Sequence, residues 1–99
     1  MVWRLLGPEG LVVALIKPQF EAGRGAVGKG GIVRDPHTHR DVLERVMAFA
    51  AAGGWHAHGL VASPVRGRSG NREFLALWSK APPEVPFTVV AAIDAAVAQ

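Results

Sequence analysis

Apolar residues fall along the chain in a few dense runs separated by glycine-rich and proline-rich stretches. Leu11 to Ile16 is six apolar residues in succession, entered from Gly7-Pro8-Glu9-Gly10 and left through Lys17-Pro18. Its length, its β-branched content and the turn residues at both ends predict a strand buried on both faces. Residues 19 to 34 carry five glycines and no periodicity, which predicts a long loop. Asp35-Pro36 then reads as a helix cap and first helical residue. Val42, Leu43, Val46, Met47 and Ala50 recur at helical spacing, with Arg40, Asp41, Glu44 and Arg45 mostly off that stripe. Gly53-Gly54 closes the helix. Trp55 to Ala62 predicts a second strand and Asn71 to Ser79 a third, with Glu73, Leu75 and Leu77 on one face and Phe74, Ala76 and Trp78 on the other. After Pro82-Pro83 and Pro86, an Ala/Val-rich tail from Thr88 to Ala98 predicts a short last helix.

These elements imply an α/β topology. Strand, helix, strand is a crossover, so the first two strands should run parallel with a right-handed connection. A loop of about eight residues joins the second strand to the third, which predicts an antiparallel return. Lys17 then closes the first strand while Glu73 opens the third, and both fall at the same edge of the sheet. Ligands of open α/β sheets bind at the carboxyl ends of the parallel strands. A lysine closing a buried strand is either a snorkelling end-cap or a placed amine able to move a proton; Glu73 at the same edge favours the second.

Composition narrows the field. The chain has 99 residues, 49% hydrophobic and 19% charged, which suits one small folded domain rather than a disordered segment. No apolar run approaches the about 20 residues of a membrane span, and the first residues lack the features of a secretory signal. With no cysteine there is no disulfide, thiolate metal site or thiol nucleophile, and a cytoplasmic setting is expected. The net charge is only +3. Its distribution matters more: Arg24, Lys29, Arg34, Arg66, Arg68 and Arg72 fall in two glycine-rich loop segments, as suits a phosphate-bearing partner.

Several motifs are decoys. Gly23 to Gly28 matches the dinucleotide pattern G-x-G-x-x-G but lacks the tight strand-to-helix context that gives the pattern its mechanism. Gly23 to Gly30 resembles a phosphate loop with glycine where the metal-holding hydroxyl belongs. The pairs His37/His39 and His56/His58 lack a third ligand, so no metal site is expected. Ser63, Ser69 and Ser79 have no nucleophile architecture.

Three segments in order, Leu15 to Arg24, Val27 to Pro36 and Ser63 to Phe74, resemble the hemolysin A (TlyA) family. These are S-adenosylmethionine-dependent ribosomal RNA 2′-O-ribose methyltransferases with an FtsJ-like catalytic domain. The resemblance runs from about Gly7 to Lys80. It implies that residues 1–80 are the C-terminal portion of a Rossmann-like methyltransferase sheet, with two parallel strands, a crossover helix and one antiparallel strand inserted between them. Residues 81–99 are a Pro/Ala-rich tail outside it. The family carries a Lys-Asp-Lys-Glu tetrad; by motif Lys17 matches the second lysine and Glu73 the glutamate. The loops bearing Arg24, Lys29, Arg34, Arg66, Arg68, Asn71 and Arg72 would meet the RNA substrate.

The first lysine, the aspartate, the glycine-rich turn that holds the methyl donor and the N-terminal RNA-binding domain of the family have no counterpart here. No cofactor-binding residue is therefore assigned. Met1 to Leu6 reads as the end of a helix preceding the first strand. On that basis Lys17 is expected to pair with Glu73, and the Leu11–Ile16 strand to present an unpaired apolar edge that drives homo-oligomerisation. Two functions follow as expectations. One is part of a ribosomal RNA methyltransferase, inactive alone, whose partner is ribosomal RNA or a ribosomal subunit. The other is a non-catalytic, self-associating remnant that binds nucleic acid weakly through its basic loops.

Overall fold

A computed structural model of the chain describes residues 2–6, 10–21, 31–65 and 70–99, the first of these segments as backbone only. Its elements are β1 (Val2–Leu6), β2 (Leu11–Ile16), α1 (Pro18–Glu21), α2 (Pro36–Ala52), β3 (His56–Ala62), β4 (Phe74–Ser79) and α3 (Val89–Ala98). The strands form one sheet in the order β1-β2-β4-β3. β4 lies antiparallel to β2 on one side and to β3 on the other, so β2 and β3 point the same way with β4 inserted between them. The expected α/β arrangement is therefore present.

The outer strand departs from expectation. Val2–Leu6 is not a helix end but a strand, paired antiparallel with β2 from Val2↔Leu15 to Leu6↔Leu11. Gly10, immediately before β2, stands at φ +71°, a left-handed conformation that glycine adopts without a Cβ penalty. β2 consequently has a hydrogen-bonded neighbour on both sides, and the bare β2 edge inferred from sequence does not exist.

One face of the sheet is the core. Val12, Ala14, Ile16, Phe74, Ala76, Trp78 and Leu60 are buried against the α2 stripe of Val42, Leu43, Val46, Met47 and Ala50, and against Ile93 and Ala96 of α3. Full burial of an aliphatic or phenyl side chain contributes about 1.5–3 kcal/mol, so this cluster dominates stability. β2 is buried on that face alone: its alternate residues Leu11, Val13 and Leu15 are only half-buried. The continuous apolar run resembles a doubly covered strand, but both long helices lie on the same side.

The helix boundaries follow local chemistry. Asp35 caps α2 by accepting the His37 N–H at 2.9 Å, and Pro36 takes the first turn, where its missing N–H costs nothing. At the other end the Gly53 N–H returns to the carbonyls of Phe49 and Ala50. Lys80 pins this corner, its Nζ donating to the Gly53 carbonyl at 2.9 Å and lying 4.3 Å above the centre of the Trp55 indole. Among the described residues no helix is long and apolar enough to cross a membrane.

Candidate active site at the carboxyl end of β2

Strand pairing brings the two candidate residues together. The β2–β4 register ends at Ile16↔Phe74, and one further step sets Lys17 opposite Glu73. The β3–β4 register ends at Ala62↔Phe74, and the Ser63 N–H continues it by donating to the Glu73 carbonyl at 2.8 Å. Lys17, Glu73 and Ser63 thus occupy one row across three strands at the carboxyl end of β2. Lys17 is fixed from both directions. It ends β2, and its carbonyl accepts the N–H groups of Phe20 and Glu21, which closes the single turn of α1.

The side chains are arranged differently from the expected ion pair. Glu73 is 7% exposed, and its Oε2 accepts a hydrogen bond from Gln19 Nε2 at 3.1 Å. Lys17 is half-buried and forms no ion pair with a described residue; its ammonium stands 5.7 Å from the centre of the Phe20 ring, which is itself 73% exposed. Sequence spacing can bring lysine and glutamate to one edge, but it cannot show a neutral amide two residues further on engaging the carboxylate.

Beside this row lies a shallow basic cleft of about 280 Å³, lined by Ile32, Val33, Arg34, His39, Gly70 and Arg72. Behind this lining lies Asn71, only 3% exposed. Asn71 Oδ1 accepts the Val33 N–H and its Nδ2 donates to the Gly31 carbonyl, both at 2.9 Å. His39, also buried, donates from Nε2 to the Val33 carbonyl at 2.9 Å and sets its ring edge-on to Phe74. The Val33 peptide is therefore held at both its N–H and its C=O. Asn71, expected from sequence among the RNA-facing residues, has its amide turned inward to the backbone of the 31–33 segment.

Arg34 is exposed on the rim. Arg72 donates from Nη1 to the Val97 carbonyl of α3 at 3.1 Å and lies over the Phe74 ring, which anchors the guanidinium on the helix side of the sheet. Arg24, Lys29, Arg66 and Arg68, and the whole of the Gly23–Gly30 motif, lie outside the described residues. The β3 histidines are separated by a bulge between Ala57 and Gly59; His56 is exposed, and His58 donates to the Ala81 carbonyl at 2.8 Å. Among the described residues no group of three His, Cys, Asp or Glu side chains is placed to hold a metal ion.

Two residues of this edge carry no role in the sequence pattern: Gln19 within Lys-Pro-Gln-Phe, and Ser63 beyond its dismissal as a nucleophile. The signal for both is positional, since each lies within three residues of a strand end at the functional edge.

The described residues do not fit a methyl donor such as S-adenosylmethionine. Such a ligand needs a glycine-rich turn from a strand into a helix whose first amides face it. Here the turn after β2 is Lys17-Pro18, without glycine and with no N–H on the proline, and the helix that follows has four residues.

Comparison with known proteins identifies the family. Residues 5–80 match the family described as FtsJ-like methyltransferase. YqxC of Bacillus subtilis is 58% identical over 71 residues, which make up 72% of this chain and 25% of that protein. The 16S/23S rRNA (cytidine-2′-O)-methyltransferase TlyA of Mycobacterium tuberculosis is 48% identical over 67 residues, 68% of this chain and 25% of that protein. The chain thus spans about a quarter of the length of these relatives. A crystal structure of a protein described as a hemolysin from Lactococcus lactis superposes with a TM-score of 0.75 at 40% identity, over 90% of this chain and 44% of that one. In sequence over most of its length, and in the path of its strands, the chain belongs to the FtsJ-like methyltransferase family.

Proposed function

We propose that the chain is a portion of a cytoplasmic, S-adenosylmethionine-dependent ribosomal RNA 2′-O-ribose methyltransferase, that Lys17 and Glu73 face the ribose hydroxyl, and that these 99 residues do not transfer a methyl group alone. The observation that carries this reading is the strand register, which sets Lys17 opposite Glu73 at the carboxyl end of β2. In such enzymes S-adenosylmethionine supplies the methyl group; its absent cradle belongs to another part of the protein. With its amine in the neutral form, Lys17 takes the proton of the 2′-hydroxyl at Nζ as that oxygen becomes the nucleophile. Glu73, across the strand pair, supplies a negative charge near enough to favour the resulting ammonium.

Ribosomal RNA, free or within a subunit, is the substrate on this reading. Arg34 and Arg72 on the cleft take its phosphates, and Arg24, Lys29, Arg66 and Arg68 extend the basic surface by their place in the same two segments. Asn71 contributes by fixing the shape of the 31–33 segment.

A chimaera tests the assignment: residues 5–80 replace the matching segment of the M. tuberculosis relative, and methyl transfer to ribosomal RNA is measured. The chimaera should be active, the isolated chain inactive, and Lys17→Ala or Glu73→Ala in the chimaera should cost about 10²–10⁴-fold, the usual worth of a proton-transfer group. A folded but inactive chimaera overturns the assignment, and full activity in Lys17→Ala overturns the role of the lysine.

One observation favours a second, non-catalytic reading. Val13, Leu15, Val61, Leu75 and Leu77 share the sheet face opposite the helices and are only half-buried or exposed. A free-standing chain would cover this face with a second copy of itself, while binding nucleic acid weakly through its arginines. Sedimentation across a concentration series decides: a monomer at all concentrations removes this reading.

A further inference from the structure

We infer that Gln19 is a positioning residue of the Lys17–Glu73 site: its side-chain amide holds the Glu73 carboxylate and keeps the Lys17 amine unpaired. The inference rests on the reading of this edge as the catalytic one, and adds to it a residue that sets the state of both charged groups.

Oppositely charged side chains set directly across an antiparallel pair normally attract one another into contact. Lys17 and Glu73 occupy such positions, yet no ion pair forms between them, and Glu73 is buried beside Gln19 instead. The competitor is placed by the backbone. Pro18 starts α1 immediately after Lys17, and the turn brings the side chain of Gln19 back over the start of β4. Its Nε2 lies 3.1 Å from Glu73 Oε2.

The orientation of the amide is dictated by its neighbour. Reversed, it would set an amide oxygen against a carboxylate oxygen, two acceptors with no proton between them. In the orientation present, Gln19 Oε1 is buried without a hydrogen-bond partner among the described residues. Buried acceptors are rarely left so, and one that is calls for an explanation. Here the contact of the amide nitrogen with Glu73 outweighs satisfaction of the oxygen. A neutral donor is well matched to this position, because it orients the carboxylate and leaves its charge intact. A lysine or arginine at position 19 would neutralise that charge.

Two measurements on the 99-residue chain test this without any methyl transfer. The first is trace acetylation read by mass spectrometry, with Lys80, tied to Gly53 and Trp55 at the far end of the sheet, as internal standard. Gln19→Leu should free Glu73 to pair with Lys17 and slow acetylation of Lys17 several-fold relative to Lys80. Adding Glu73→Gln to that variant should restore the original rate. The second uses the unmutated chain, so it stands even if the variants fold poorly. Gln19 and Gln99 are its only glutamines, and the side-chain amide protons of Gln19 should exchange at least tenfold more slowly than those of Gln99. An unchanged Lys17 rate in folded Gln19→Leu, or equally fast exchange at both glutamines, overturns the inference. An inactive chimaera combined with the expected labelling would sink the proposed reaction and leave the Gln19–Glu73 geometry standing.

Discussion

Replacing Asn71 with alanine separates two accounts of this residue, and its cost can be worked from the geometry. Among the described residues, the Asn71 side chain accepts the Val33 N–H and donates to the Gly31 carbonyl, both at 2.9 Å. Gly31 is exposed, so its carbonyl would find water at little cost. Val33 is 2% exposed and its N–H would be left buried and unpaired, at about 1–3 kcal/mol. Adding about 1 kcal/mol net for the second bond gives a loss of about 2–4 kcal/mol. For a chain of this size that lowers Tm by roughly 8–20 °C. The His39 bond to the Val33 carbonyl survives, so the segment should loosen rather than unfold. Asn71→Asp makes the sharper control: it keeps an acceptor for Val33 but turns a second oxygen onto the Gly31 carbonyl, and should be no more stable than Asn71→Ala. Urea denaturation gives the free energy, and hydrogen exchange at the Val33 amide reports the bond itself. If Asn71→Ala keeps within about 0.5 kcal/mol of the parent, the usual range of an inconsequential surface substitution, and the Val33 amide stays protected, the clamp is refuted. Weakened RNA binding with no loss of stability would then make Asn71 a direct contact.

Other substitutions probe separate links. Asp35→Ala removes the cap on α2 and should cost about 1 kcal/mol, read as a lower urea midpoint with an unchanged slope. Trp78→Ala, in the centre of the core, should cost about 3–5 kcal/mol and leave little folded chain at 37 °C by circular dichroism. Leu77→Lys on the open sheet face should barely change stability but abolish any self-association seen by sedimentation. Arg34→Ala should weaken RNA binding uniformly across sequences and reduce its salt slope by about one. Arg72→Ala should do the same and also loosen α3, because its guanidinium holds the Val97 carbonyl.

The elements with strong periodic or capping signals are legible in the sequence. α2 begins and ends at the residues that Asp35-Pro36 and Gly53-Gly54 mark, and its stripe from Val42 to Ala50 is the buried one. The alternation in β4 places Phe74, Ala76 and Trp78 inward. What escapes is information that a linear pattern does not carry. Val2–Leu6 is too short to separate a strand from a helix end by periodicity, although the Gly-Pro-Glu-Gly stretch after it is what a turn back onto a strand would use. The run Leu11–Ile16 is apolar throughout, so sequence cannot reveal that only its even-numbered residues reach the core.

The site divides along the same line, and the division bears on how such a chain can work. Lys17 and Glu73 can be placed at one edge because strand direction follows from connection length. Their pairing cannot, because Gln19 reaches Glu73 only after Lys17-Pro18 turns the chain into α1. The whole row of Lys17, Glu73 and Ser63 is held by contacts among β2, β3, β4 and α1, all within this chain. None of those contacts requires a strand from elsewhere, since β1 already occupies the outer side of β2. The acceptor-facing half of the proposed site is thus preassembled by local pairing, and under the proposed function the methyl donor is presented by residues outside this chain. A separately supplied donor-binding part would therefore have to displace β1 in order to pair with β2. Deleting residues 1–9 should accordingly raise the apparent affinity between the two parts in a pull-down titration. If the deletion leaves that affinity unchanged, β1 does not compete for the β2 edge, and any association between the parts runs over another surface.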